Sequence, residues 1–170
     1  MTDDPMIAIR ASFFEECEEL VESLHDALEQ MDRGAGDDET VNVVFRAVHS
    51  IKGGAGAFGL NDLVDFAHRF ETVLDDLRSG RLVPDAEAIR LFFQGADLLH
   101  DHVRAARSGA CPPDGADAVL RALEGLPLAR APRGPAPVDF TPMLIDLGFA
   151  GLAEEPKGLD GPAPWIIDFT

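Results

Sequence analysis

Positive charge is scarce in this sequence. Its 14 lysines and arginines face 31 aspartates and glutamates, a formal net charge of −17 at pH 7. Phosphate backbones and anionic lipid surfaces would be repelled, which argues against nucleic acid or membranes as partners. Cysteine is scarce too. Cys17 and Cys111 have neither metal nor disulfide spacing, which fits a reducing compartment and makes Cys17 a small core residue. No apolar run approaches the roughly 18 residues that a membrane-spanning helix needs, so no membrane insertion is expected. The amino terminus carries Asp3 and Asp4 without the basic and apolar regions of a signal peptide. No strand pattern occurs before residue 160. These absences point to a cytoplasmic, helical protein. Hydrophobic residues make up 46% of the 170 positions, enough to bury a core.

What is present is helix after helix. Asp4-Pro5 reads as an N-cap and first helical position, and Phe13, Cys17, Leu20, Leu24, Leu28 and Met31 recur at three and four, predicting a first helix over about 6–32. Glu15, Glu16, Glu18, Glu19 and Glu22 cover its other face as a solvated acidic surface. Gly34-Ala35-Gly36 stops it, and Asp37 or Asp38 caps a second helix to about Ala57 that turns Val44, Val48, Ile51 and Ala55 inward. Asn61 reads as the cap of a third helix to about Arg78, with Leu63, Ala67, Phe70, Leu74 and Leu77 inward. Asp85 begins a fourth, carrying Ile89, Phe93, Ala96, Leu99 and Val103 to about Ser108-Gly109. A short fifth at about 115–124 presents Val119, Leu120 and Leu123. Short loops make neighbouring helices antiparallel. The expectation is an all-α, up-and-down four-helix bundle with a short fifth helix over residues 1–127. Residues 128–170 read as a Pro/Gly-rich linker or irregular tail, with a strand-like stretch at 165–169. Either this tail packs on the bundle, or the sequence is the front of a larger protein.

The chemistry concentrates in the second helix. His49, Lys52, Gly53 and Gly56 follow at i, i+3, i+4 and i+7, a second stripe beside the apolar one. Glycines 53, 54 and 56 each cost a helix about 1 kcal/mol relative to alanine, which suggests that a partner needs a bare surface beside His49. A nucleophilic imidazole must be neutral at the attacking nitrogen, and its other nitrogen should donate to a fixed acceptor. Glu71, on the next helix, suits that role, with His68 and Asp75 along the same polar flank. Lys52, one turn from His49, would offer positive charge to phosphoryl oxygens. His25, His100 and His102 read as ordinary surface residues. A metal-binding bundle is a rival, but di-metal bundles use Glu-x-x-His and here the order is His68-x-x-Glu71. A second rival is a docking bundle in which His49 is incidental.

The run His49-Ser50-Ile51-Lys52-Gly53-Gly54-Ala55-Gly56-Ala57-Phe58-Gly59, followed by His68-Arg69-Phe70-Glu71, resembles histidine phosphotransfer (HPt) domains. It is most similar to the amino-terminal domain of chemotaxis histidine kinases of the CheA kind. The resemblance covers about 5–127. It implies an antiparallel helical bundle whose His49 is phosphorylated by a separate ATP-binding kinase domain and passes phosphate to an aspartate of a CheY- or CheB-type response regulator. It assigns Glu71 as acceptor and His68 as a neighbouring histidine. ATP and Mg²⁺ would belong to the partners, and no cofactor or metal to this chain. No ATP-site motif is present, so the domain alone should not phosphorylate itself. It should be monomeric, with the regulator docking over the His49 end of the first two helices. Gly53 and Gly56 would form the contact surface, and Phe14 and Phe45 exposed anchors. A stand-alone phosphorelay intermediate is the nearest alternative.

Overall fold

The computed structural model describes residues 5–129. The expected cap at Asp4 and the tail from 130 onward lie outside the described residues. Within them are five helices and no strand: α1 (Pro5–Asp32), α2 (Asp38–Ala57), α3 (Asn61–Arg78), α4 (Ala86–Ser108) and α5 (Ala116–Glu124). An isolated bridge joins Leu82 to Leu128. α1 packs on α2 and α4, α3 packs on the same two, and α5 closes against α3 and α4.

The helix ends follow local chemistry. After α1 the chain reverses at Gly34, whose φ of 72° is a left-handed conformation that glycine adopts without penalty. Asp37 then caps α2. Its carboxylate accepts from the Thr40 backbone N–H at 2.8 Å, and the Thr40 hydroxyl accepts from the Asp37 N–H at 3.2 Å. The Thr40 backbone N–H foremost, and the Thr40 hydroxyl donating to the same carboxylate at 2.8 Å, hold the Asp37 carboxyl below the usual carboxylate range. The expected cap at Asn61 is corrected. The left-handed Gly59 turns the chain one residue earlier, so Leu60 takes the cap position and Asn61 is already helical. Asp85 caps α4 by accepting from the Ala88 N–H at 2.8 Å.

The core is one continuous cluster with Phe70 and Phe92 fully enclosed. Loss of such a ring costs about 3–5 kcal/mol. Gly95 makes room for it: a Cβ there would stand 2.9 Å from the Phe70 ring, so only glycine lets α4 approach this closely. All of the expected inward residues of α2 and α3 are buried. On α1 and α4 the inward stripe is rotated slightly. Val21 is buried where Leu20 is half-exposed, and Phe92 is buried where Phe93 is half-exposed. On α5, Leu120 and Leu123 are buried and Val119 is half-exposed. Cys17 is fully buried, which pushes its thiol up to about 12, with Glu16 and Glu18 adding to the shift. Among the described residues no helix is long and apolar enough to cross a membrane.

Candidate functional site

α2 and α3 lie side by side, and their facing polar flanks build the site. Because side chains three and four apart share a helix face, Phe45, His49 and Lys52 line one edge of α2, while Glu71, Asp75 and Arg78 line the facing edge of α3. Glu71 joins the two edges. Its Oε1 lies 2.9 Å from Nδ1 of His49 and its Oε2 lies 2.5 Å from Nζ of Lys52. The Lys52 contact is an ion pair rather than a well-angled hydrogen bond. The Glu71 side chain is only 13% exposed, against 60% for His49. The carboxylate is therefore recessed and the imidazole stands out.

This geometry fixes the tautomer. A carboxylate only accepts, so Nδ1 must carry the proton, and a neutral ring then has its free lone pair on Nε2. Among the described residues no hydrogen bond engages Nε2. Burial raises the Glu71 pKa, but the hydrogen bond from His49 and the close Lys52 ammonium outweigh it and hold the carboxyl below its ordinary value. Glu71 is accordingly ionised at neutral pH. Lys52 directs its ammonium at Glu71, whereas the sequence reading aimed it at phosphoryl oxygens.

The structure sorts the remaining expected residues unevenly. His68 is exposed, and among the described residues its side chain joins no hydrogen bond or ion pair. Gly53 and Gly56 face open space, with nothing within 4 Å of a built Cβ. Gly54 does not share that surface: a Cβ there would stand 2.3 Å from the edge of the Phe13 ring, so this glycine serves helix packing. Phe14 is corrected from exposed anchor to core. It is 3% exposed, its ring 5.2 Å from that of Phe13, with the Arg10 guanidinium over it. Phe45 is half-buried and stacks on His49.

His102 is corrected as well. It is buried, stacked on Phe66 with ring centroids 4.6 Å apart, because position 102 adjoins Leu99 and Val103 on the inward face of α4. Burial pushes its pKa down. Two clefts of about 400 and 460 Å³ meet at His102, and neither is lined by His49, Lys52 or Glu71. His49 stands on an exposed helix face, an arrangement suited to a macromolecular partner. No group of three or more His, Cys, Asp or Glu side chains among the described residues is arranged to hold a metal. Sequence reasoning missed Arg78, whose guanidinium caps the Phe45 ring at 3.9 Å. Its spacing of seven from Glu71 along α3 is the signal that could have found it.

Comparison with known proteins adds findings of three kinds. The family model described as Hpt domain matches residues 8–109. The chain is 44% identical to chemotaxis protein CheA of Cereibacter sphaeroides over 170 residues, covering 95% of this chain and 24% of that protein. It is 55% identical to chemotaxis protein CheA of Rhizobium meliloti (strain 1021) over 104 residues, covering 61% of this chain and 14% of that protein. The chain thus spans a quarter or less of the length of these two relatives. Among solved structures, the histidine phosphotransfer domain of CheA aligns with a TM-score of 0.60 at 25% identity, covering 73% of this chain and 92% of that one. The phosphorylated P1 domain of CheA3, solved in complex with CheY6 from R. sphaeroides, aligns with a TM-score of 0.62 at 24% identity, covering 69% and 93%. The latter is a likeness of fold.

Proposed function

Because the chain belongs to the Hpt domain family, we propose that His49 is a phosphoryl carrier between a kinase ATP-binding domain and a response regulator of CheY or CheB type. The observation that carries this reading is the orientation of one ring: Nδ1 donates to the recessed Glu71 and Nε2 is left unengaged on an exposed helix. The lone pair of Nε2 attacks the γ-phosphorus of ATP held by the kinase domain. The P–Nε2 bond forms as the bond to the bridging oxygen breaks, and that electron pair leaves with ADP. The ring keeps its Nδ1 proton and becomes formally positive, a charge that the adjacent Glu71 carboxylate stabilises. A regulator aspartate then attacks phosphorus, and the P–N electron pair returns to Nε2.

ATP and Mg²⁺ belong to the partners in this scheme, and the chain alone does not phosphorylate itself. The four long helices form an antiparallel up-and-down bundle in this reading, supported by the short connections 33–37, 58–60 and 79–85 and by the closed circuit of helix contacts. The domain acts as a cytoplasmic monomer. Similarity to the Cereibacter protein over 95% of the chain, beyond the bundle, favours a chemotaxis kinase over a stand-alone phosphorelay protein. The regulator docks over the surface that Gly53 and Gly56 leave bare.

The test is labelling with a cognate kinase domain and radioactive ATP. Wild type is expected to take acid-labile phosphate, and His49→Gln none, with helical circular dichroism unchanged. Label persisting in the variant, or found on His68, would overturn the assignment.

A further inference from the structure

Glu71 alone cannot fix the His49 ring. The Cβ–Cγ bond and one hydrogen bond at Nδ1 hold one edge of the imidazole, and the ring can still swing about that edge. Nε2 lies on the far edge, so it would move furthest. With the side chain 60% exposed, solvent provides no restraint. What restrains the swing is Phe45, one helical turn earlier on α2. Its ring lies nearly parallel to the imidazole, 17° between planes and 5.8 Å between centroids, an offset stack. The Phe45 ring is in turn held by α3. The Arg78 guanidinium sits 3.9 Å from its centroid, and Arg78 is itself tied to Asp75 at 2.8 Å. Asp75 occupies the turn between Glu71 and Arg78. The same edge of α3 therefore sets both the hydrogen bond and the stacking shelf.

We infer that Phe45, held by Arg78, is a positioning residue that sets the plane of the His49 imidazole and so the direction in which Nε2 meets phosphorus. This rests on the phosphoryl-carrier reading above and changes the role expected of Phe45. An exposed anchor would contribute to partner affinity, whereas a shelf under the ring contributes to the reactivity of His49 whatever the donor. In-line transfer is sensitive to such placement, since a misplacement of about 1 Å can cost on the order of 100-fold in rate.

A donor that needs no docking surface separates the two roles. Phosphoramidate is small enough: Nε2 attacks its phosphorus, the P–N bond breaks, and ammonia departs with the electron pair. The full chain would be compared as wild type, Phe45→Leu, Phe45→Tyr and Arg78→Gln, with phosphoramidate and with the kinase domain plus ATP. Leucine keeps most of the buried volume but removes the flat face; tyrosine restores it. Phe45→Leu is expected to lower the phosphoramidate rate and kcat with the kinase by about tenfold, with KM unchanged. Phe45→Tyr should return both to within about twofold of wild type. Arg78→Gln, at an exposed position where folding is not at stake, should lose about threefold, the scale of one exposed cation–π contact. An unchanged phosphoramidate rate in Phe45→Leu and Arg78→Gln, with or without a raised KM for the kinase, would overturn the inference. Failure of wild type to label at His49 with kinase and ATP would instead sink the carrier reading itself.

Discussion

Three histidines in this bundle face carboxylates, and only one of them combines an open Nε2 with a recessed carboxylate. On the α1–α4 side, His25 places Nε2 3.0 Å from Asp97 and Nδ1 2.9 Å from the Val21 carbonyl, so both ring nitrogens are occupied. His100 engages Nε2 with Glu18 at 2.7 Å. On the α2–α3 side, His49 engages Nδ1 and leaves Nε2 open. The carboxylates differ as well. Asp97 is 71% exposed and Glu18 36%, whereas Glu71 is 13% exposed and shared with Lys52. A histidine beside a carboxylate is therefore no signature of a phosphoryl acceptor. The choice of nitrogen and the burial of the acceptor separate a tie between helices from a reactive centre.

The most severe way to break this contrast is to remove the recessed carboxylate. Glu71→Ala should slow phosphorylation of His49 by about 10- to 100-fold, since a hydrogen bond to a charged group is worth about 1.5–3 kcal/mol. Thermal denaturation should show a bundle that still folds. Full-rate labelling of this variant would mean that orientation of the ring does not matter.

A second test sharpens the contrast between the bare surface and the packed one within α2. Gly53→Leu and Gly56→Leu should keep or slightly raise the melting temperature, because leucine is the better helix former and nothing lies within 4 Å of either site. Transfer from phosphorylated protein to regulator should fall at least about tenfold, a loss expected of an obstructed approach. Gly54→Leu should instead destabilise the fold by about 1–3 kcal/mol by overpacking against Phe13. Wild-type transfer by both of the first two variants would show that regulators do not approach over this surface.

The smallest effect is expected on the α1–α4 face. Replacing His25 and His100 together by glutamine should leave labelling at His49 within about twofold and cost about 0–1 kcal/mol of stability for each partly exposed ion pair, read by urea denaturation. A marked loss of labelling in a folded double variant would mean that the two faces are coupled.

Helix order and type were legible because the apolar residues recur at helical spacing and each connection contains a glycine or a capping aspartate. Contact between His49 and Glu71 was legible for the same reason: each lies beside its helix's apolar stripe, on neighbouring helices. Resolution was lost wherever two apolar residues are adjacent. Leu20 and Val21, and Phe92 and Phe93, differ by about 100° of helical rotation, and composition alone does not say which one turns inward, while Phe13 and Phe14 are both buried. His102 was missed because its burial follows from the exact rotation of α4, and Gly54 because its reason lies on α1. Both are tertiary facts.

His49 offers a single nitrogen, and this has a consequence for timing. On the carrier reading, phosphorus arrives at Nε2 and departs from Nε2, along one line on one side of one helix. Donor and acceptor proteins cannot both occupy that line, so they must take turns. A regulator present in excess would act as a roadblock to recharging the domain even while it drains it. Throughput would then depend on how fast each partner lets go, more than on how tightly either holds.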